Sequence, residues 1–120
     1  MSYINGQDLA KSVEPLSAAA EMAEDGNLYM RLANVYLQLD DYEAAAAAIE
    51  NAIDKGGLRR PDQSRLLQGQ AYLSLEKFDD ARASFREAAK DDRSETMARN
   101  MLRYVNNEEK RIKEIREFLS

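Results

Sequence analysis

The sequence has 120 residues and a formal charge of −5, with 17 basic and 22 acidic side chains spread along it. This length fits one domain, and the interspersed acids argue against nucleic acid as a partner, because phosphate binding needs a clustered basic face. Cysteine and histidine are absent, so disulfides, the usual zinc ligands and the usual general base are missing. We therefore expect no enzyme, no cofactor and no metal. No apolar run reaches the length of a membrane span, so we expect no direct membrane insertion.

Helical signals begin in the amino-terminal segment, where apolar residues recur three and four positions apart. Pro15 interrupts this pattern and removes a backbone hydrogen bond, so a kink or a late helix start is expected there. The next helix begins near Asn27, and its antiparallel partner covers about residues 42–54. The aspartates at positions 40 and 41 end the first of these helices and can cap the second.

A second helix pair is predicted at about residues 61–75 and 78–90, joined by a loop short enough to force a hairpin. Ser94 is the expected N-cap of a final helix that starts at Glu95 and runs almost to the end of the chain. Arg59 and Arg60, in the loop before the second pair, are expected to be solvated. Adjacent aspartates in the turns are interpreted as caps, not as acid-base or metal groups.

The two helix pairs are copies of one pattern, 36 positions apart. Small, aromatic and aliphatic residues keep their size class between the copies. The matched positions are Ala33 and Gly69, Tyr36 and Tyr72, Leu39 and Leu75, Tyr42 and Phe78, Ala45 and Ala81, Ile49 and Phe85, and Ala52 and Ala88. Such periodicity predicts stacked repeats in one domain. We assign residues 1–24 to a partial repeat, 26–59 and 61–92 to two complete repeats, and 94–120 to a capping helix with an extension.

The pattern resembles the tetratricopeptide repeat, in which aromatic, leucine, small and tyrosine residues on one helix precede alanine and a bulky residue on the next. The matching residues are Tyr29, Leu32, Ala33, Tyr36, Ala45 and Ile49 in one repeat and Gly69, Tyr72, Ala81 and Phe85 in the other. Arg65 and Gln68 depart from it, because they stand where the family has apolar residues. The resemblance implies an all-α, right-handed superhelix of antiparallel helix pairs that binds a protein or peptide.

In this family the first helices of successive pairs line a concave groove, and the resemblance carries that role to ten positions here. They are Met30, Asn34, Leu37, Gln38, Leu66, Gln70, Leu73, Ser74, Arg99 and Arg103. A peptide with an acidic feature would suit this mixture of apolar, amide and guanidinium groups. In the alternative interpretation, the leucines only pack helices together and the arginines only pair with nearby glutamates.

Two segments, at residues 56–63 and 88–94, also resemble repeat proteins associated with bacterial TonB energy-transduction systems. That resemblance implies a periplasmic accessory protein for outer-membrane uptake. Without it, the expected location is the cytoplasm.

The end of the last helix suggests a second hypothesis, self-association as a weak homodimer. Apolar residues continue there at alternating three- and four-residue spacing, as in a coiled-coil seam. The residues concerned are Ile112, Ile115, Phe118 and Leu119. Beyond Asn107 this helix is expected to outrun the second repeat, so these side chains would need a partner. The alternative is that a bend at residues 106–107 folds them back onto the chain's own body.

Overall fold

The computed structural model describes residues 6–120 and consists of six α-helices joined by short connections. The helices are α1 (Gly6–Met22), α2 (Asn27–Gln38), α3 (Tyr42–Lys55), α4 (Pro61–Ser74), α5 (Phe78–Ala89) and α6 (Glu95–Leu119). Each helix packs against its neighbours along the chain, so α2 with α3 and α4 with α5 form the two predicted pairs. The all-α, tetratricopeptide-like fold is confirmed. The first five residues of the proposed partial repeat lie outside the described residues.

The two helix pairs turn in the same way. Asp40 and Glu76, which are 36 positions apart, both adopt left-handed backbone conformations, with φ of 59° and 57°. In each turn the following residue donates its backbone N–H to a tyrosine carbonyl at 2.9 Å, Asp41 to Tyr36 and Lys77 to Tyr72. The two tyrosines therefore occupy equivalent places in successive hairpins, as the repeat predicts.

The core of the described part of the chain contains two apolar clusters. The first has Leu32, Ala33, Ala48 and Ile49 at its centre, and the second has Ala81, Phe85 and Val105. Leu67 of α4 packs against the first cluster, and Leu102 of α6 packs against the second. Each repeat therefore covers the apolar face of the one before it, which is how stacked repeats gain stability.

Close approach between helices requires small residues at two places. A Cβ atom on Gly69 would lie 2.5 Å from the ring of Phe85. A Cβ atom on Gly26 would lie 2.1 Å from the carbonyl oxygen of Ala52, and the Gly26 N–H donates to the Gly56 carbonyl at 2.8 Å. These glycines let α4 lie on α5 and let the α1–α2 connection lie on the end of α3.

Lys55, in the last turn of α3, holds the end of α1. Its Nζ donates to the carbonyl oxygens of Ala20 and Glu21 at 2.7 and 2.6 Å. The same ammonium group lies 5.5 Å from the centre of the Tyr29 ring. A cation at free helix carbonyls is stabilising because those groups have no partner inside their own helix.

Several sequence-based expectations about the helix ends are tested here. Asp41 caps α3 as expected, because its Oδ1 accepts the N–H of Ala44 at 3.2 Å. A late start at Pro15 is wrong, since α1 runs through that residue from Gly6. The bend at residues 106–107 is also wrong, since α6 is one helix from Glu95 to Leu119.

Across residues 6–120, no helix combines the length and apolar character needed to cross a membrane.

Candidate peptide-binding surface

We call the ten predicted groove residues the groove face. They lie on α2, α4 and α6, the first helices of three successive units. Within α2 and α4 they follow the spacing i, i+4, i+7, i+8, which keeps them on one side of each helix. The six polar members are all exposed, namely Asn34, Gln38, Gln70, Ser74, Arg99 and Arg103.

The apolar members of the groove face are all half-buried. Met30 packs against the first core cluster, and Leu66 and Leu73 pack against the second. Leu37 belongs to neither cluster and is also half-buried. Three of these four side chains therefore pack helices together, as the alternative interpretation of the sequence proposes for the leucines. Each still exposes part of its surface on the side that carries the amides.

Two arginines stand at the α6 end of the groove face. Arg99 pairs with Glu95 through Nε and Oε1 at 3.1 Å, and both side chains are exposed. Arg103 donates to the neutral amide oxygen of Asn100. Between the two arginines lies Leu102, at a depression of about 320 Å³. Arg99 thus has a carboxylate beside it, whereas Arg103 has no carboxylate partner within residues 6–120.

A cleft of about 290 Å³ separates the α4–α5 turn from α6, and sequence reasoning missed it. We call it the Tyr104 cleft. Its lining residues are Leu73, Ser74, Glu76, Phe78, Tyr104, Glu108 and Ile112. Tyr104 is 51% exposed. The sequence signal that could have revealed it is the i, i+4, i+8 spacing of Tyr104, Glu108 and Ile112, which puts all three on one face of α6.

A buried polar network lies beneath the groove face, at the junction of the two repeats. Gln68 is only 1% exposed. Its amide nitrogen donates to the Ala46 carbonyl at 3.2 Å and to Glu50 Oε2 at 3.0 Å. Its amide oxygen accepts from Arg65 at 2.9 Å and from Ser84 at 2.9 Å. All four hydrogen-bonding positions of the amide are therefore used within the fold.

Glu50 completes this network from α3. Arg65 pairs with Glu50 at 2.6 Å. The hydrogen bond from Gln68, followed by the contact with Arg65, lowers the pKa of the Glu50 carboxyl below its ordinary value. Arg65 and Gln68, which depart from the family pattern, thus join α4 to α3.

A second polar cluster fixes the start of α4. The Asp62 side chain is 2% exposed, and it accepts hydrogen bonds from Arg60 at 2.9 and 2.6 Å. Ser94 Oγ donates to the same carboxylate at 2.6 Å. These donors, Arg60 first, hold the pKa of the Asp62 carboxyl well below its usual range.

Two expectations about this cluster hold only in part. Arg59 is exposed, whereas Arg60 is half-buried and forms an ion pair with Asp62. Ser94 is the N-cap residue of α6, as expected, but its side chain makes no cap hydrogen bond, and its hydroxyl donates to Asp62. In both cases the buried Asp62 carboxylate accepts from a neighbouring side chain, and a charged acceptor forms a stronger hydrogen bond than a neutral one.

The predicted self-association residues lie at the end of α6 and become more exposed along it. Ile112 is half-buried, Ile115 is 45% exposed, and Phe118 and Leu119 are 88% and 76% exposed. The helix outruns the second repeat later than expected, because Arg82 pairs with Glu109 at 3.0 Å and Arg116 pairs with Glu76 at 3.2 Å.

Among residues 6–120, no group of three or more acidic, cysteine or histidine side chains is arranged to hold a metal ion. The buried carboxylate of Asp62 is satisfied by the protein's own donors. The clustered polar groups of the second repeat thus hold helices together.

Comparison with known proteins identifies the fold's family. The family model for the tetratricopeptide repeat matches residues 30–98, which is more than half of the chain. No curated protein matches the sequence. Members of this family are typically non-catalytic scaffolds that mediate protein–protein interaction. The chain belongs to the tetratricopeptide repeat family.

Proposed function

We propose that the groove face binds an extended segment of a protein partner. The observation that carries this proposal is a pair of equivalent amides, Asn34 on α2 and Gln70 on α4, 36 positions apart. Both are exposed, and neither side chain has a hydrogen-bond partner among the described residues. Each amide offers donors and an acceptor, the groups that a peptide backbone requires. The buried amide of Gln68, by contrast, is fully used inside the fold.

The surroundings of these amides suggest the chemistry of the ligand. Leu37 and Leu73 each follow the amide on their own helix by three residues and offer partly exposed apolar surface beside it. Arg103 offers a guanidinium group whose only side-chain partner among the described residues is neutral. A peptide with apolar side chains and one acidic residue directed toward α6 fits this arrangement. The acidic residue would pair with Arg103 more readily than with Arg99, which already has Glu95.

The experiment starts with a displayed random-peptide library selected on the full chain, followed by calorimetry with the peptides obtained. Asn34→Ala combined with Gln70→Ala should weaken binding by roughly tenfold to a hundredfold, since each lost hydrogen-bonding amide costs about 1 kcal/mol. Asn51→Ala is the matched control, because Asn51 is an exposed amide on α3, a second helix of a pair. Equal losses in the control and the double variant would refute the groove assignment.

The narrower role, an accessory to TonB-linked uptake in the periplasm, is a proposal that rests on the resemblance of residues 56–63 and 88–94. A cytoplasmic scaffold is the proposal without that resemblance. Cell fractionation of the native host, together with the genes that neighbour the coding sequence, tests the choice. Adjacent genes for a TonB system would support the periplasmic role, and a cytoplasmic fraction would contradict it.

A further inference from the structure

One face of α6 carries both a cleft and an exposed apolar tip. Tyr104, Glu108 and Ile112 form the α6 wall of the Tyr104 cleft. Ile115 and Leu119 continue the same stripe at spacings of three and four, and Phe118 lies beside them. The tip, residues 115–119, extends along α6 past the contact of Arg116 with Glu76. The Tyr104 cleft and the apolar side chains of the tip thus lie on the same side of α6.

A two-fold rotation between two copies of the chain can bring the tip of each copy to the Tyr104 cleft of the other. If the axis passes near residue 113, two copies of α6 run antiparallel with their apolar stripes in contact. Phe118 of one copy then lies opposite Glu108 of the other, which lines the Tyr104 cleft. Leu73, Phe78 and Ile112 provide the apolar walls there. Both copies make the same contact, so two tips fill two clefts.

The charges beside the stripe favour the antiparallel arrangement. Arg111 and Glu114 lie on the same flank of the stripe, and Glu114 has no ion-pair partner among the described residues. Antiparallel pairing about residue 113 places Arg111 of each copy beside Glu114 of the other. In a parallel two-fold pair the same flank of each copy lies on opposite sides of the seam, so Arg111 and Glu114 would not meet and this attraction would be lost. Arg111 also contacts Glu108 in its own chain, so it can bridge two carboxylates.

We propose that two copies of this chain form an antiparallel dimer in which the Phe118 and Leu119 side chains of each copy enter the Tyr104 cleft of the other. The area is modest. Three apolar side chains from each copy, with the cleft walls, would remove on the order of 1,000 Å² of surface from water in total, at the low end of specific interfaces. The dimer should therefore depend on concentration. Leu73 and Ser74 belong to both the cleft and the groove face, so pairing also narrows the groove at this end.

Sedimentation velocity across a concentration series tests for the dimer. The unmodified chain should shift from monomer to dimer below about 1 mM, and Phe118→Glu combined with Leu119→Glu should leave it monomeric. Met97→Glu is the matched control, because Met97 is 56% exposed on the same helix but lies outside the paired segment. Asn34→Ala with Gln70→Ala should also keep the dimer. A chain that stays monomeric at every concentration, or a dimer that survives the tip variant, would overturn the proposal.

The direction of pairing is tested separately with a nitroxide label. The chain has no cysteine, so Ser120→Cys gives a single labelling site. Antiparallel pairing about residue 113 separates the two labels by about 21 Å along the helix axes, at 1.5 Å per residue. Parallel pairing would bring them within about 10 Å of each other. As a second readout, Arg111→Glu should weaken the dimer and added Glu114→Arg should restore it. Labels at the short distance, or no restoration, would contradict the antiparallel arrangement.

Discussion

The two complete repeats share one backbone plan but have different interiors. In the first repeat, every buried side chain of α2 and α3 is apolar, with Leu32, Ala48 and Ile49 among them. In the second, α4 and α5 bury Gln68 and Ser84 at the positions equivalent to Leu32 and Ala48. The repeat thus conserves the size and place of a side chain more strictly than its polarity.

Complete hydrogen bonding explains why the polar interior is tolerated. A buried amide without partners costs free energy, but one with all its partners is close to neutral. Among the described residues, no buried side-chain nitrogen or oxygen lacks a partner. Part of this support comes from the other repeat, because Ala46 and Glu50 of α3 accept from Gln68. The second repeat is therefore linked to the first by directional bonds in addition to apolar packing.

Removing Gln68 should have the largest effect. Gln68→Ala leaves Ser84 and the Ala46 carbonyl without their partner and opens a cavity, so the free energy of unfolding should fall by about 2–4 kcal/mol. Urea denaturation measures this loss.

The matching control gives the second repeat the first repeat's chemistry. Gln68→Leu alone should be destabilising because Ser84 loses its acceptor, and adding Ser84→Ala should recover most of the loss. If the double variant were no more stable than Gln68→Leu, the hydrogen bond between these two side chains would not support the interior.

The contact between Gly69 and Phe85 should give the next largest effect. The first repeat has Ala33 and Ile49 at these places. Compared with that pair, the second repeat has a smaller residue on its first helix and a larger side chain on its second helix. Gly69→Ala should lower the free energy of unfolding by about 1–3 kcal/mol, because the new methyl group meets the ring. Combining it with Phe85→Ile restores the first repeat's pair and should cost less than the two single changes added together. Thermal denaturation of the two single variants and the double variant measures this. If the loss in the double variant equalled the sum of the two single losses, the compensation would be contradicted.

The buried carboxylate of Asp62 should give the smallest effect and one that depends on pH. Its pKa is lowered in the folded chain, so its stabilising contribution is present above its unfolded pKa of about 3.9 and is lost as pH falls below that value. Asp62→Asn should lower the free energy of unfolding at pH 7 by about 1–2 kcal/mol. The gap between the two proteins should narrow from about pH 5 to pH 3. If the difference in free energy of unfolding between the two proteins stayed constant across this pH range, the charged form of Asp62 would not be the source of the stabilisation.

Local and periodic features of the fold could be predicted from the sequence, whereas the polar contacts could not. The spacing of Tyr36 and Tyr72 predicts both hairpins, and Asp41 caps α3 because its cap partner is only three residues away. From the sequence alone, Gln68 is only a departure from the family pattern. Its hydrogen bonds could not be predicted, because its partners Ala46 and Glu50 are 22 and 18 residues distant. Such contacts depend on how one helix is rotated against another, which periodicity does not determine.

The candidate site divides in the same way. Periodicity predicts that Asn34 and Gln70 lie on equivalent faces of α2 and α4, and the resemblance to the tetratricopeptide repeat implies that this face is the groove. It did not predict the Tyr104 cleft, whose walls come from α4, the following turn, α5 and α6. Four separate segments must be folded before that space exists. The alternative in which the arginines pair with nearby glutamates describes Arg99, which pairs with Glu95, since residues four apart on a helix are neighbours.

The side-chain amide resonances of asparagine and glutamine provide the most direct measurement of the groove assignment. A library-selected peptide should be titrated into isotope-labelled protein while the NH₂ signals of Asn34, Gln70 and Asn51 are followed. The account predicts saturable shifts for Asn34 and Gln70 with Asn51 unchanged, since only the first two lie on the groove face. Shifts at Asn51, with Asn34 and Gln70 unmoved at saturation, would contradict it.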